Sequence, residues 1–227
     1  MLEFKPEEIE SRTGYTFKDR TLLRSALSHR SYVNELRINK YPDYERLEFL
    51  GDAVLELTVS DFLYKNHPEM PEGDLSKLRS ALVCEPSLAE CAKELNLPDY
   101  ILVGHGEEEQ GSRFKDSIVS DVFEALIGAI YLDGGFEAAK AHIDKYVLQD
   151  MDNKRLFYDA KSILQERCQK EGNTLEYIIV DESGPDHKKT YVVDALVNGL
   201  RVSRGEGSSK RKAEQQAAYE YLRGKSR

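Results

Sequence analysis

The sequence predicts a multidomain protein in which an all-α domain is followed by a small α+β domain of order α-β-β-β-α. Up to Asp150, apolar residues recur with helical spacing and no stretch alternates with period two. Beyond Tyr158, three β-rich runs lie between two helical stretches. The two parts also differ in charge: the first 157 residues hold 30 acidic and 19 basic side chains, and the last 70 hold 11 and 13. We predict domains at 1–149 and 158–227, with a polar linker at 150–157.

Composition restricts the class of protein. The chain has 227 residues, 40% of them hydrophobic and 32% charged, which is typical of a globular protein with a sizeable core. No run approaches the roughly 18 apolar residues that span a bilayer, and the acidic N-terminus lacks a secretory signal, so we expect no membrane association. Cys84, Cys91 and Cys168 are odd in number and form no C-x-x-C pair, which favours reduced thiols and a cytoplasmic location.

The first domain is divided into helices by its Pro and Gly residues. Pro6 begins the first helix and Gly14 ends it, Asp43 is a candidate cap for the third, and Gly134 and Gly135 end the sixth. Residues 34–43 are expected to be a polar connection and 104–116 a mobile Gly-rich loop. The expected helices are 6–14, 17–31, 43–64, 75–83, 85–96, 116–135 and 136–150.

The second domain combines helical and β signals. Asn198-Gly199 lies between two β-rich runs and is a strong signal for a two-residue hairpin turn. The expected elements are a helix at 159–172, strands at 174–182, 188–197 and 200–207, and a helix at 208–222.

Four acids form a stripe in the helix 43–64. Glu45, Glu48, Asp52 and Glu56 are three, four and four residues apart, so a helix places them on one face. The rest of this helix is apolar nearly all round, which predicts a buried helix. Neighbouring like charges repel by roughly 0.2–0.5 kcal/mol even in water, and burial costs more. A cationic group is therefore expected against the stripe.

A second apolar helix, 116–135, carries Asp121 and Glu124 three residues apart. One interpretation is that both sets are solvated faces, with Arg46, Lys77 or Arg79 neutralising one or two acids. The other is a metal site, because an all-oxygen cluster without Cys or paired His suits Mg²⁺, with Mn²⁺ as a substitute. Metal held there would favour in-line phosphoryl displacement on a nucleic acid, nucleotide or pyrophosphate.

The segment YERLEFLGDAVL resembles the signature motif of the ribonuclease III family. The segments EGDLSKLRS and SDVFEALIGAIYLD follow in the order and spacing of that family, and the resemblance extends over nearly the whole chain. It implies that Glu48, Asp121 and Glu124 bind Mg²⁺ and that Asp52 and Glu124 are catalytic. Two further acids, Glu45 and Glu72, would line the cleft. The resemblance also implies a symmetric homodimer in which Phe49 packs into the partner, whereas intrachain core is the alternative for Phe49.

The last helix begins with the basic run Lys210, Arg211 and Lys212. The helix dipole disfavours cations at this end, so the run indicates either a solvated turn or an anion site. Residues 159–222 resemble the double-stranded-RNA-binding domain, which implies that the basic run contacts phosphates. The resemblance also implies minor-groove contacts from Ser162, Gln165, Glu166 and His187, although a turn histidine exposed to solvent is the alternative for His187.

Together these features predict a cytoplasmic, Mg²⁺-dependent, homodimeric endoribonuclease that cuts double-stranded RNA. The resemblance implies 5′-phosphate and 3′-hydroxyl ends, with precursors of ribosomal RNA and structured messenger RNA as substrates. Three rivals stay open at this point: a protein that shields duplex RNA without cutting it, a metal-independent nuclease using histidines, and a nucleotide phosphohydrolase.

Overall fold

The computed structural model describes residues 4–36, 41–149, 151–185 and 189–225. Side chains within 152–159 and at 225 also lie outside the described set. The chain divides into two units, Met1–Met151 and Asp152–Arg227. None of the helices in the described ranges is both long enough and apolar enough to cross a membrane.

The first unit is helical, as the sequence predicts. Its described α-helices are α1 Pro6–Thr13, α2 Arg20–Ala26, α3 Arg30–Leu36, α4 Glu45–Asn66, α5 Glu72–Leu82, α6 Glu85–Glu94, α7 His105–Glu109, α8 Asp116–Gly134 and α9 Phe136–Ile143. Short 3-10 turns lie at Leu97–Tyr100 and Ser112–Phe114, and a π-helical turn at Asp144–Leu148 follows α9. The β pairing in the described part of this unit is a single parallel bridge between Ser28 and Leu102.

Helix ends follow the local chemistry of the sequence. Gly14 has a φ of 71°, the left-handed conformation that ends a helix, and Gly135 has a φ of 80° after α8. Asp43 does not cap α4 directly: Tyr44 occupies the cap position, and the Asp43 carboxylate accepts a hydrogen bond of 3.3 Å from the Glu45 N–H. These local signals place most helix boundaries within a few residues.

Helices α4 and α8 cross at a point where both lack side chains. A Cβ on Gly51 of α4 would lie 1.8 Å from the carbonyl oxygen of Glu124, and a Cβ on Gly128 of α8 would lie 2.2 Å from that of Leu47. Neither approach leaves room for a methyl group, so the two glycines allow the backbones to touch. Fully buried residues such as Leu55 complete the core around the crossing.

Three local expectations for the first unit differ from the structure. Residues 34–36, expected in a connection, lie in α3. The Gly-rich segment 104–116, expected to be a mobile loop, contains α7 and a 3-10 turn, and within it the buried Arg113 forms an ion pair with Glu108. The single helix expected at 17–31 is interrupted, because α2 ends at Ala26 and α3 begins at Arg30. The stretch 150–157 is helical from Met151 onward, and its role as a linker stays a prediction. Polar composition predicted a connection at 34–43 and a loop at 104–116, because it reports solvent exposure rather than backbone conformation.

The second unit contains a three-stranded antiparallel sheet and two helices. The elements are α10 Met151–Lys170, β1 Leu175–Ser183, β2 Thr190–Val197, β3 Leu200–Gly207 and α11 Lys210–Lys225. The sheet order is β1-β2-β3. Asn198 and Gly199 have φ values of 52° and 76°, which a type I′ hairpin turn requires at both central positions. The α-β-β-β-α order is confirmed.

Close contact between β3 and α11 sets the position of the last helix. A Cβ on Gly205 would lie 2.2 Å from the backbone nitrogen of Ala217, and one on Gly207 would lie 2.6 Å from that of Ala213. The buried Ala213 and Ala217 therefore pack directly on the strand. The sheet fixes the first turn of α11, which carries the basic run.

Candidate metal centre and nucleic-acid interface

Three carboxylates from two crossing helices meet in the first unit. Glu48 comes from α4, and Asp121 and Glu124 come from α8; each offers one oxygen, and these oxygens lie within 4.8 Å of one another. All three side chains are half-buried. The geometry brings Glu48 together with two acids that lie 73 and 76 positions later in the sequence, and we call the three residues the acid cluster.

Helical spacing and the glycine crossing explain why the cluster forms. Glu48 lies one turn before Gly51, and Glu124 contributes the carbonyl that Gly51 approaches most closely. Asp121 lies one turn before Glu124 on the same face of α8. Since Gly51 and Gly128 let the two backbones touch, short acidic side chains reach across the seam between the helices.

The acid cluster has an unfavourable electrostatic environment without a cation. Burial and, after it, the neighbouring charges, Asp52 first, together raise the pKa of Glu124 to about 8. Burial and, after it, the charges of Asp121 and its neighbours likewise raise the pKa of Glu48 to about 7. The pKa of Asp121 is raised as well, mainly by burial. Both desolvation and mutual repulsion would be relieved by a bound cation.

Arginine side chains form ion pairs with the acids at the two ends of the acidic stripe, but not with the acids at its centre. The Arg30 guanidinium lies 3.6 Å from Glu45, and the Arg79 Nε lies 2.9 Å from Glu56. Within the described parts of the chain, no Lys or Arg lies within 4.0 Å of the carboxylates of the acid cluster or of Asp52. The pair of Glu56 with Arg79 agrees with the salt-bridge interpretation, whereas Glu45 pairs with Arg30, which is not among the three cations that interpretation named. The inner oxygens fit a hard divalent cation.

The other predicted acids lie at different distances from the acid cluster. Asp52 is exposed, and its charge raises the pKa of both Glu48 and Glu124, so it borders the cluster. Glu45 is exposed at the start of α4 and raises the pKa of Glu48 in the same way. Glu72 is exposed in the first turn of α5 and accepts a hydrogen bond of 2.8 Å from Ser76. The described contacts of Glu72 do not connect it to the cluster.

Tyr44 is a polar neighbour of the cluster that the sequence did not indicate. Its hydroxyl donates to Asp121 Oδ2 over 3.4 Å, and its ring lies 5.8 Å from that of His29, centroid to centroid. Burial and the nearby carboxylates raise the pKa of Tyr44, so its hydroxyl stays protonated and able to donate. A contact between residues 77 positions apart has no signature in the local pattern.

An apolar strip of α4 faces away from the core. Phe49 is 81% exposed and Leu57 is 60% exposed, with Tyr64 two further turns along. Helix α4 is therefore not buried all round, contrary to the prediction from its composition. For Phe49 the alternative of intrachain core is excluded. A large exposed aromatic side chain on an apolar strip is typical of an interface.

The predicted RNA contacts of α10 share one exposed face. Ser162, Gln165 and Glu166 are three and four residues apart and are all exposed, while Leu164 and Cys168 face the core of the second unit. His187 lies outside the described residues.

The basic run of α11 is presented to solvent at the helix start. Lys210, Arg211 and Lys212 are all exposed. Ser209 precedes them, and its Oγ accepts a hydrogen bond of 3.2 Å from the Lys212 N–H. The Lys210 Nζ lies 5.9 Å from the ring centroid of Tyr191 on β2. Backbone N–H groups and basic side chains thus share one helix end, an arrangement that suits a phosphate group.

Models of known families match both parts of the chain. Residues 19–151 match the family described as Ribonuclease-III-like, and residues 160–224 match the double-stranded RNA binding motif. The first match contains every residue of the acid cluster. The second contains the exposed face of α10 and the basic run of α11.

Individual relatives are similar over almost the full length. The chain is 48% identical to Ribonuclease 3 of Pelotomaculum thermopropionicum, over 94% of this chain and 90% of that protein. It is 47% identical to Ribonuclease 3 of Geobacillus kaustophilus, over 94% and 88% of the two chains. A solved nuclease domain of ribonuclease III from Campylobacter jejuni is 47% identical, with a TM-score of 0.59 over 64% of this chain and 97% of that one. That structure is described as showing flexibility in a region involved in dimer formation.

Proposed function

The chain belongs to the ribonuclease III family and is an endoribonuclease, and on this premise we propose that it cuts double-stranded RNA with Mg²⁺, leaving 5′-phosphate and 3′-hydroxyl ends. The observation that carries the proposal is the acid cluster: three carboxylate oxygens within 4.8 Å, in a half-buried seam, with no described Lys or Arg paired to them. Such a cluster is stable as a set of charges only when a cation joins it.

Glu48, Asp121 and Glu124 are the proposed ligands of Mg²⁺, for which Mn²⁺ would be a substitute. A bound metal supplies a water of lowered pKa and offsets charge on the phosphate oxygens. Glu124 and Asp52 are the proposed catalytic acids. Asp52 is exposed at the edge of the cluster, where it can take a proton from water near the phosphodiester.

Glu45 and Glu72 are proposed to line the cleft without binding the metal. The Arg30–Glu45 pair neutralises the outer end of the stripe beside Glu48. Glu72 is held by Ser76 in the first turn of α5. Both acids are exposed, so their removal is expected to cost much less activity than removal of a ligand.

The second unit is proposed to hold the duplex. Ser162, Gln165 and Glu166 would contact one minor groove and His187 the next, while Lys210, Arg211 and Lys212 would span the phosphates between them. Contacts of this kind recognise the A-form shape and the 2′-hydroxyl groups rather than the sequence of bases.

The active form is proposed to be a homodimer. Phe49, Leu57 and Tyr64 form an exposed apolar strip on α4, a surface of the kind that a subunit interface covers. With one acid cluster in each subunit, each subunit would cut one strand and leave a short 3′ overhang. We further propose that the enzyme is cytoplasmic and acts on precursors of ribosomal RNA and on structured messenger RNA.

Cleavage of a long, end-labelled RNA duplex tests the proposal. We expect products with Mg²⁺ or Mn²⁺, none with a chelator, and 5′-phosphate and 3′-hydroxyl groups at the new ends. Cyclic phosphate or 3′-phosphate ends, or cleavage that survives chelation, would instead support attack by the 2′-hydroxyl and contradict the metal site.

A further inference from the structure

Tyr44 touches both sides of the acid cluster. Its backbone carbonyl accepts hydrogen bonds of 2.9 Å from the N–H groups of Leu47 and Glu48, so it fixes the first turn of α4. Its hydroxyl reaches the other helix and donates to Asp121 Oδ2 over 3.4 Å. The residue therefore ties the helix that carries one acid of the cluster to the side chain of another.

The Tyr44 ring is held from several directions. It is 6% exposed, and the Tyr44 N–H donates to the Ser28 carbonyl over 3.0 Å. The neighbouring His29 ring is itself fixed, because its Nδ1 lies 2.8 Å from Ser31 Oγ and its backbone N–H donates to Leu102 over 2.9 Å. Since few rotations are open to this phenol, its hydroxyl is a fixed donor.

A hydrogen-bond donor is needed to keep the Asp121 carboxylate directed into the acid cluster. The charge of Asp121 raises the pKa of both Glu48 and Glu124, and this mutual repulsion favours rotation of the Asp121 side chain about χ1 towards solvent. Among the described residues, Tyr44 is the one side chain that hydrogen-bonds any of the three acids of the cluster. Partners of this kind orient ligand groups before a metal binds.

We infer that Tyr44 is a positioning residue whose hydroxyl holds the Asp121 carboxylate in the orientation that takes up a divalent cation together with Glu48 and Glu124. The inference rests on the proposed function, because it needs the acid cluster to bind metal. Tyr44 acts through Asp121 and is not itself a ligand.

Replacing Tyr44→Phe removes the hydroxyl and keeps the ring. Tyr100→Phe is a matched control: the Tyr100 ring is also buried, at 8% exposure, and its hydroxyl also donates to a carboxylate, Glu8, over 2.9 Å. Binding of Mn²⁺ to the full-length, RNA-free protein is measured by electron paramagnetic resonance of free Mn²⁺. We expect about tenfold weaker binding in Tyr44→Phe, the size of effect typical of such partners, and unchanged binding in Tyr100→Phe.

Two further readouts separate positioning from a role in the fold. In Tyr44→Phe the Mn²⁺ concentration that gives half-maximal cleavage should rise by the same factor, while the KM for RNA and the metal-free melting temperature stay close to wild type. A large drop in melting temperature would contradict the inference, because the hydroxyl would then serve the fold.

Asp121→Asn keeps failure of the inference distinct from failure of the proposed function. If Asp121→Asn loses Mn²⁺ while Tyr44→Phe binds it as wild type does, the metal site stands and the inference is overturned. If Asp121→Asn binds Mn²⁺ like wild type, the metal site itself is wrong.

Discussion

The two units present opposite charges to what we propose is the same ligand, the RNA backbone. In the first unit, acids converge within 4.8 Å in a half-buried seam between α4 and α8. In the second, Lys210, Arg211 and Lys212 are exposed side by side at the start of a helix. An acidic seam repels phosphate unless a cation lies between them, whereas a basic turn attracts it directly.

The acids of the seam are half-buried and the basic residues are exposed, and this difference determines how each set of charges acts. Charges in the seam interact strongly because little water screens them, so their effect depends on geometry and on the glycines that bring the helices together. Charges on the basic turn are fully solvated and contribute roughly additively, in a manner that salt weakens. Removing one acid should therefore abolish chemistry, whereas removing one Lys should only weaken binding.

Removing an acid of the seam should give the largest effect. We expect Glu124→Gln to slow cleavage of duplex RNA by on the order of a thousandfold, because it removes both a proposed ligand and a catalytic group. RNA affinity in a gel-shift assay should stay within about twofold of wild type, since binding depends on the second unit. Glu56→Gln is the control: Glu56 belongs to the acidic stripe of α4 but pairs with Arg79, so this variant should cut at a rate near wild type. Normal cleavage by Glu124→Gln with Mg²⁺ would contradict the assignment of the chemistry to the acids of the first unit.

Phe49→Ala tests whether the exposed apolar strip of α4 joins two copies of the chain. Truncating a central aromatic side chain at an interface typically costs 2 kcal/mol or more, so we expect the dissociation constant of the dimer to rise by about thirtyfold. Sedimentation equilibrium measures this directly. Leu200→Ala, at a similarly exposed residue of the second unit, should leave the dimer intact. Equal dimerisation of both variants would show that the strip on α4 is not the interface.

Neutralising the basic turn should weaken RNA binding and spare the cleavage rate, the opposite of the effect expected for Glu124→Gln. The triple change Lys210→Ala, Arg211→Ala and Lys212→Ala is expected to weaken duplex binding by about tenfold or more and to reduce the slope of log affinity against log salt by about 2–3. Cleavage at saturating RNA should stay near wild type. Arg223→Ala, at the other end of α11, serves as the control for charge alone. If both variants bind equally well, the basic turn is a solvated helix start and nothing more.

A methyl group at the helix crossing should damage the fold and the seam together. We expect Gly51→Ala to lower the free energy of unfolding by about 1–3 kcal/mol, as overpacking does, and to reduce cleavage. Gly73→Ala is the matched control: this helical glycine has open space around it, so alanine should stabilise α5 by about 0.5–1 kcal/mol. Denaturant unfolding measures both. Unchanged stability in Gly51→Ala would mean that the backbones do not touch there.

The smallest expected effect is a change in the melting temperature of the metal-free protein with pH. The pKa of Glu124 is raised from 4.5 to about 8, so between these values the folded protein binds a proton that the unfolded chain does not. The metal-free protein must therefore lose stability as pH rises through this window, and the melting temperature of wild type should fall by several degrees relative to Glu124→Gln. A difference in melting temperature that stays constant from pH 5 to pH 9 would contradict the raised pKa.

Patterns of a few neighbouring residues predicted the turns, helix ends and strands that those same residues determine. The left-handed Gly14, the Asn198-Gly199 turn and the strands of the second unit follow from backbone and pleat preferences that a few residues determine. Polar composition misled at 34–36, where α3 replaces part of the expected connection, because exposed helices can be as polar as loops.

The acids of the seam were predictable, but their neighbours were not. Spacing indicated a shared face for Glu48 and Asp52, and the resemblance joined them to Asp121 and Glu124. Contacts that cross the seam have no periodicity, and so the hydroxyl of Tyr44 could be found only from the fold. The apolar composition of α4 was equally ambiguous, since a face for the core and a face for a partner contain the same residue types.

The position of a bound Mn²⁺ ion tests most directly whether the acid cluster is the metal centre. Crystals of the protein grown with Mn²⁺ should give an anomalous-difference peak bonded to oxygens of Glu48, Asp121 and Glu124, and the peak should vanish in Glu124→Gln. A wild-type crystal that shows no peak at the cluster, from protein that cleaves RNA in the same Mn²⁺ buffer, would contradict the site.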